Sequence, residues 1–377
     1  MRLARALALV ALPLVGSPAV ARTGPQDFAA GRPAPHAPPA AAAPRAAPAG
    51  RDAAAASGPD LSEAFRRARQ VPALTSLLVA RGDSLLGERY FHGGGRGRVV
   101  NVRSVSKSVI SALVGIAIAD GDLQGTDQPI SDFLADYTAG LAEPRKAGIT
   151  IGDLLSMRAG MATTSFRQYG AWVTSSDWIR WALRRPMVCE PGTCWTYSTG
   201  NYHLLSVILT RATGTDTRTY ARRKLLGPLG IPARPWDRGP KGYYLGGNNM
   251  GFTAREMARF GQLYLREGRR GGRRIVPASW VRRSLRPLAV SSWNGHDYGY
   301  GWWGRRLAGE EVWYAWGYGG QYVFVVPRLD LVVVATTDPG REDRRFEADR
   351  AIFDLLEGSI LPEVRRAAAE GPQASLR

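Results

Sequence analysis

The period of the hydrophobic pattern changes twice along this chain, and that change limits the folds it can adopt. Runs typical of strands lie at both ends of the patterned region: TSLLVA at 75–80, SLLGERYFH at 84–92, YGYGWW at 298–303, EVWYAW at 311–316, QYVFVV at 321–326 and LDLVVVATT at 329–337. The patterns between them are mainly helical. Strands from both ends must pair with each other, which predicts an α+β fold: an antiparallel sheet flanked by helices, with a mainly helical subdomain inserted.

Helix signals fill the middle of the chain. Thr150 with Asp153, and Thr253 with Glu256, have the spacing of N-terminal capping boxes. The apolar run at 101–121 predicts a buried helix, although it opens with serines and a lysine. We therefore predict one domain over 60–362. Its α/β part comprises about 60–100 and 270–362, and its helical part about 101–269.

Both termini differ in composition from this domain. Residues 1–21 combine a basic start, a short apolar stretch and an Ala-Val-Ala site, which predicts a secretory signal peptide. The apolar stretch is shorter than the roughly 20 residues of a membrane anchor, so we expect no stable anchor after cleavage. Residues 22–59 are rich in alanine and proline and predict a disordered linker, and 363–377 predict a flexible tail. The chain is expected to be exported, to a periplasm or outside the cell.

The two cysteines, Cys189 and Cys194, lie in the short sequence CEPGTC. An exported chain meets oxidising conditions, and a Pro-Gly turn makes local closure easy, so we predict a disulfide between them. Two free thiols are the alternative. Two cysteines do not make a structural zinc site, and we expect neither a metal nor a cofactor.

The formal charge is +18, yet the basic residues are scattered along the chain. No basic run interleaved with aromatics, zinc-ligand spacing or helix-turn-helix pattern is present, so we expect no nucleic-acid partner.

Ser104 and Lys107 are three residues apart at the start of the apolar helix. On a helix they would share one face. The helix dipole and burial would favour a reactive hydroxyl and lower the pKa of the amine. Arginine could not replace this lysine as a base, because it does not deprotonate. A solvated helix start is the alternative, and the spacing alone does not decide between them.

Five segments in order resemble the serine β-lactamase and penicillin-binding-protein superfamily, over about 75–340. They are SVSKSVISALVGIAIADGDL, ITIGDLLSMRAGM, PGTCWTYSTGNYHLLSVIL, GFTAREMARFGQLYLREG and WGYGGQYVFVVPRLDLVVV. The first resembles the family's S-x-x-K helix. The esterase and 6-aminohexanoate-oligomer hydrolase branch is the most similar. The resemblance implies a β-lactamase/transpeptidase-like fold.

The resemblance also implies roles for individual residues. Ser104 would be the nucleophile, Lys107 its partner, and Tyr197 a second base or acid that relays the proton to the leaving group. The backbone N–H groups of Ser104 and Tyr318 would bind the oxyanion. Thr199, Trp316 and three glycines would contact the substrate; the glycines are Gly317, Gly319 and Gly320. Such a site would cleave an ester or amide in a small molecule or short peptide through an acyl-enzyme.

The sequence departs from the family pattern at three positions. Thr199 replaces the asparagine that usually comes two residues after the tyrosine, Ala315 stands where lysine or histidine binds a substrate carboxylate, and Trp316 stands where threonine is usual. The lost charge argues against an efficient β-lactamase or D,D-peptidase, and an aromatic-rich site suits less charged acyl groups. The aromatic residues expected to line this site are Trp195, Trp313, Trp316, Tyr318 and Tyr322. A penicillin-recognising enzyme and a non-catalytic binding protein remain the alternatives. His203 is expected to be a packed core histidine.

Overall fold

The structure is a computed structural model, and it describes residues 58–338 and 345–370. The predicted signal peptide at 1–21, the linker up to residue 57 and the last seven residues of the predicted tail lie outside these ranges. All described residues belong to one compact unit. The strands of its main sheet come from both ends of the described chain, and its helices come from the middle and from both ends.

The main sheet has eight strands in the order β2-β1-β12-β11-β10-β9-β8-β7. They are β1 (Leu74–Arg81), β2 (Ser84–Tyr90), β7 (Ala289–Val290), β8 (Asp297–Tyr298), β9 (Trp303–Leu307), β10 (Glu310–Gly317), β11 (Gln321–Val326) and β12 (Leu331–Thr337). Every neighbouring pair is antiparallel. Because β1 pairs directly with β12, the prediction of an antiparallel sheet built from both ends is confirmed.

Two short antiparallel pairs lie outside this sheet: β3 (Val100–Asn101) with β4 (Gly251–Phe252), which are far apart in the chain, and the hairpin of β5 (Arg269–Arg270) with β6 (Arg273–Arg274). The helices are α1 (Ser62–Ala68), α2 (Ser106–Asp120), α3 (Ser131–Thr138), α4 (Ile151–Leu155), α5 (Tyr169–Val173), α6 (Trp178–Leu183), α7 (Thr199–Thr213), α8 (Thr217–Ala221), α9 (Ala254–Leu265), α10 (Ala278–Ser284), α11 (Arg345–Leu355) and α12 (Leu361–Glu370). The predicted α+β class is therefore confirmed.

Helix α2 lies in the centre of the core and packs against α7. The residues from Ser106 to Ala117 are all buried, which explains why its sequence is apolar on every side. The predicted capping boxes are present at α4 and α9, where Thr150 and Thr253 each accept a backbone N–H three residues on. These local signals were reliable because each satisfies backbone N–H groups within a few residues.

Helices cover both faces of the sheet. A Cβ on Gly261 of α9 would lie 2.8 Å from Val323 of β11, so α9 packs closely on that face. The Phe353 ring of α11 contacts the rings of Tyr322 and Phe324, which alternate with Val323 and therefore point to the other face.

Two predicted boundaries are wrong. The run at 298–303 was expected to be one strand, but β8 ends at Tyr298 and β9 begins at Trp303. The residues between them turn at Gly301, whose carbonyl accepts a 2.6 Å hydrogen bond from the Ser108 hydroxyl of α2. In addition, residues 363–370 of the predicted tail are helical, because α12 buries Leu361 and Val364.

Candidate active site

Ser104 lies in a 3-10 turn over Arg103–Val105, directly before α2, rather than on the α-helix as predicted. Arg103 has a left-handed backbone, with φ of +52°, and its N–H donates a 2.9 Å hydrogen bond to Asn101 Oδ1. The Ser106 hydroxyl donates to the Arg103 carbonyl at 2.7 Å. A residue other than glycine rarely adopts this conformation, so the surrounding bonds hold the turn in place. They fix the direction of the half-buried Ser104 side chain.

Lys107 is almost wholly buried, with 1% of its surface exposed, and its amine is directed at Ser104. The Nζ atom lies 2.9 Å from Ser104 Oγ, 2.6 Å from the Gly247 carbonyl oxygen and 3.2 Å from Thr199 Oγ1. Among the described residues no carboxylate forms a salt bridge with it. Burial therefore lowers the pKa of Lys107 well below its ordinary value of 10.5.

The three partners of this amine suit its neutral form. A neutral amine can donate its two N–H bonds to the Gly247 carbonyl and to Thr199. Its lone pair then accepts the Ser104 hydroxyl proton. Thr199, which replaces the family's asparagine, therefore still supplies an oxygen to the lysine. Its hydroxyl also lies 2.9 Å from Ser165 Oγ.

Tyr197 is buried beside Lys107. Its ring centre is 4.9 Å from Lys107 Nζ. The phenol oxygen has no hydrogen-bond partner of normal geometry. Burial raises the pKa of Tyr197, and the nearby Ser104 side chain lowers it to a smaller extent. The phenol is therefore protonated at neutral pH, which suits a proton donor or relay better than a phenolate base.

The disulfide between Cys189 and Cys194 is present, as predicted, and it closes a loop just before Tyr197. Two backbone hydrogen bonds attach this part of the chain to the segment after α4. Gly192 N–H donates to the Arg158 carbonyl at 2.8 Å, and Thr196 N–H donates to the Met157 carbonyl at 2.8 Å. The cross-link thus supports the chain that positions the phenol.

The end of β10 lies against the turn that carries Ser104. A Cβ on Gly317 would be 2.2 Å from the Val102 carbonyl oxygen, so only glycine fits at this approach. Gly319 and Gly320 have positive φ angles and form the turn, and a Cβ on Gly320 would meet the Thr337 side chain. Gly317 and Gly320 thus lie close to protein atoms where a Cβ would be, and none of the three glycines is among the residues that line the cleft beside Ser104, whereas Tyr318 is.

This cleft has a volume of ≈ 420 Å³ and is lined by Ser104 and by Tyr197, whose phenol oxygen is itself buried. Its lining residues are Arg103, Ser104, Ser165, Phe166, Tyr169, Tyr197, Thr199, Asn248, Trp316 and Tyr318. The structure therefore brings together Ser104, Tyr197, Thr199, Trp316 and Tyr318, with Lys107 buried behind them. The sequence reasoning missed five members: Arg103, Ser165, Phe166, Tyr169 and Asn248. For Arg103, its position next to the S-x-x-K motif was an available signal.

The aromatic lining differs from the prediction. Trp313 and Tyr322 are buried in the sheet, and Trp195 packs behind Tyr197 with ring centres 6.2 Å apart. Ala315 is fully buried opposite Val323 and does not line the cleft.

Three further features bear on the kind of site this is. His203 packs against the rings of Trp172 and Trp178, as predicted for a core histidine. Within 58–338 and 345–370, no group of three or more His, Cys, Asp or Glu side chains is arranged to hold a metal ion. Nor does any helix in those ranges combine the length and apolar character needed to cross a membrane.

The fold and this Ser-Lys-Tyr constellation define a β-lactamase-fold hydrolase. The chain belongs to the beta-lactamase family, whose model matches residues 61–357.

Individual proteins show the same relationship. The chain is 26% identical to the 6-aminohexanoate-dimer hydrolase of Paenarthrobacter ureafaciens over 348 residues, 84% of this chain and 83% of that protein. It is 29% identical to the Unguisins hydrolase ungD of Aspergillus violaceofuscus over 136 residues, which span 34% of this chain and only 24% of that protein. The structure resembles the penicillin binding protein from Bacillus halodurans with a TM-score of 0.61 and 15% identity, covering 77% of this chain and 99% of that one.

Proposed function

We propose that the chain is a serine hydrolase that cleaves an ester or amide bond through an acyl-enzyme on Ser104. The observation that carries this proposal is the 2.9 Å contact between Ser104 Oγ and Lys107 Nζ, made by an amine with no carboxylate partner among the described residues. A buried lysine of lowered pKa is neutral often enough to accept a proton, and a serine needs such a base to become nucleophilic.

In the first step the Ser104 oxygen attacks the substrate carbonyl carbon while its proton moves to Lys107 Nζ. The carbonyl oxygen becomes negatively charged and needs fixed donors. We assign this role to the backbone N–H groups of Ser104 and Tyr318. Both residues line the same cleft, and the close approach of Gly317 to Val102 sets the separation between their chain segments.

In the second step the bond to the leaving alcohol or amine breaks. Tyr197 gives its phenolic proton to the leaving atom and regains one from Lys107, so the acyl-enzyme forms with both groups in their starting states. Water then attacks the ester carbonyl and passes a proton to the same pair. The bond to Ser104 Oγ breaks, the serine regains its proton, and the carboxylic acid leaves.

We also propose export. The Cys189–Cys194 disulfide supports this, because such bonds persist in oxidising compartments. The 26% identity to a 6-aminohexanoate-dimer hydrolase supports a hydrolytic role over a binding role without catalysis.

The test compares wild-type protein with Ser104→Ala and with Ser84→Ala on a panel of nitrophenyl esters, linear amides and penicillins. Ser84 is exposed in the β1–β2 hairpin and serves as the matched control. We expect turnover by wild type and Ser84→Ala, and loss of turnover in Ser104→Ala. Full activity of Ser104→Ala, or no turnover by wild type of any substrate, would overturn the proposal. Covalent capture of a fluorescent penicillin at Ser104, with no turnover of esters or amides, would instead favour a penicillin-recognising enzyme.

A further inference from the structure

Among the residues that line the cleft, Arg103 is the one with a permanent charge, and none is acidic. Lys107 behind it tends to the neutral state, since burial disfavours its charge. The cleft is therefore positive beside the nucleophile. This result differs from the prediction of a site for less charged acyl groups, which rested on the missing charge at Ala315.

The Arg103 side chain is held in this position by its backbone. Its φ of +52° and the bond from its N–H to Asn101 Oδ1 set the direction of its Cα–Cβ bond. The Asn101 side chain is in turn bonded to Asn249 at 3.0 Å. The Arg103 Cβ atom lies 3.2 Å from the place of a Cβ on Gly317, so the side chain leaves the turn beside the end of β10.

The half-buried Arg103 side chain has no acceptor for its guanidinium among the described residues. Its Nε is buried and forms no hydrogen bond, and Arg103 forms no salt bridge with any residue in the described ranges. A buried donor without an acceptor costs free energy, and a charged one costs more. An anionic group that enters the cleft would supply the counter-ion that the guanidinium lacks and would gain a charge-assisted hydrogen bond.

A second donor lies in the same cleft. Asn248 Nδ2 donates to the Tyr169 hydroxyl at 3.0 Å, which leaves the phenolic proton of Tyr169 available for an acceptor. Burial raises the pKa of Tyr169, and the Arg103 charge is close enough to lower it in part. Asp237, whose charge also acts on Tyr169, accepts a hydrogen bond from Asn249 and lines a neighbouring pocket instead.

We propose that the cleft selects substrates that carry a carboxylate, which the Arg103 guanidinium binds together with the Tyr169 hydroxyl. This inference rests on the proposed function, because the cleft is the one in which Ser104 would be acylated. A carboxylate accepts two hydrogen bonds from a guanidinium in one plane, which a neutral ester of the same length does not do.

The test uses two pairs of esters that differ only in the charged group. The first pair is mono-4-nitrophenyl glutarate and 4-nitrophenyl pentanoate, and the second is 4-acetoxybenzoate and its methyl ester. The pairs place the carboxylate on the acyl side and on the leaving-group side. The quantity measured is the ratio of kcat/KM within each pair, for wild type, Arg103→Gln, Arg103→Lys and Arg273→Gln. Arg273 is exposed in the β5–β6 hairpin and matches the change in net charge.

We expect the wild-type ratio to favour the carboxylate by about tenfold or more in at least one pair. It should fall close to one in Arg103→Gln, stay intermediate in Arg103→Lys and remain at the wild-type value in Arg273→Gln. A wild-type ratio near one in both pairs, or an unchanged ratio in Arg103→Gln, would overturn the inference.

A binding experiment separates this inference from the proposed function. Ser104→Ala protein is titrated calorimetrically with glutaric acid monoanilide and with pentananilide. The inference predicts tighter binding of the monoanilide, lost in the Ser104→Ala/Arg103→Gln double variant. Equal binding of the two anilides contradicts the inference alone, whereas ester turnover that persists in Ser104→Ala contradicts the proposed function alone.

Discussion

The amine of Lys107 lies 2.9 Å from the hydroxyl of Ser104 and is almost wholly buried, with no carboxylate partner among the described residues. An isolated amine in such a place prefers to be neutral, because the protein interior solvates its charge poorly. The fold thus places a base beside a nucleophile. The burial that disfavours the charged form of Lys107 also leaves its amine able to accept a proton.

Replacement of Lys107 tests its role as a base. Lys107→Met and Lys107→Arg should each lower kcat/KM by about 1000-fold, because methionine has no basic group and arginine stays protonated. Lys107→Met should also unfold at a higher temperature than wild type. The wild-type amine is protonated and solvated in the unfolded chain but buried in the folded one, and the substitution removes this preference for the unfolded state. Lys241→Arg, at an exposed lysine, is the control for activity. Near-normal turnover by Lys107→Arg would exclude proton transfer to this amine.

The lowered pKa of Lys107 predicts a particular dependence on pH. Between that lowered value and 10.5 the unfolded chain binds a proton on Lys107 that the folded chain does not. The free energy of unfolding therefore rises with pH in this window, and kcat/KM rises as the folded lysine becomes neutral. Urea unfolding should show the stability advantage of Lys107→Met over wild type shrinking as pH rises. A rate profile that keeps climbing to an inflection at 10.5 would contradict a buried base.

Tyr197→Phe tests the proton donor. We expect a loss of about 100-fold in kcat for alkyl esters and amides, whose leaving groups need a proton, and a smaller loss for nitrophenyl esters. Because the phenol oxygen has no hydrogen-bond partner, its removal should leave the free energy of unfolding unchanged or slightly increased. Equal losses for good and poor leaving groups would show that Tyr197 acts in another step.

Removal of the disulfide should affect both stability and rate. The Cys189→Ser/Cys194→Ser variant should lose about 2 kcal/mol in free energy of unfolding, as expected for a short closed loop. Because this loop precedes Tyr197, kcat should fall more for alkyl esters than for nitrophenyl esters. Calorimetric unfolding and paired rate measurements check the two effects. A loss of stability without that difference in rates would show that the disulfide does not help to position Tyr197.

Gly317→Ala tests the contact between β10 and the turn of Ser104. The added Cβ would approach the Val102 carbonyl oxygen to 2.2 Å, so either segment must move. We expect a loss of about 1–3 kcal/mol in stability, together with a lower kcat. Gly125→Ala is the matched control, because a Cβ there meets nothing within 4 Å. Normal activity of Gly317→Ala would argue against a role for this contact in placing the oxyanion donors.

The sequence was informative where a local pattern decided the outcome. The capping boxes at Thr150 and Thr253 and the proximity of Ser104 to Lys107 follow from short-range signals or from the family pattern. The antiparallel pairing of β1 with β12 follows from the strand patterns at the two ends of the domain. Hydrophobic period and caps act within a few residues, so they can be read from one chain.

The cleft lining could not be predicted in the same way. Phe166, Tyr169 and Asn248 lie in loops or short helices that reach the cleft through tertiary packing. Trp313 and Tyr322 fitted the expected aromatic lining equally well. They lie on strands whose side chains alternate between two covered faces of the sheet, so both side chains are buried in the core. The position of Arg103 next to the S-x-x-K motif placed it near the site, but the positive φ that sets the direction of its side chain has no signal in the sequence.

Labelling with a fluorophosphonate tests the nucleophile most directly, because this probe forms a stable adduct with an activated serine. Wild-type protein should gain one adduct per chain. Peptide mapping should place it on Ser104 rather than on the neighbouring Ser106 or Ser108, and the adduct should form slowly or not at all in Lys107→Met. An adduct on another residue, or equal labelling of Ser104→Ala, would contradict the assignment of Ser104 as the nucleophile.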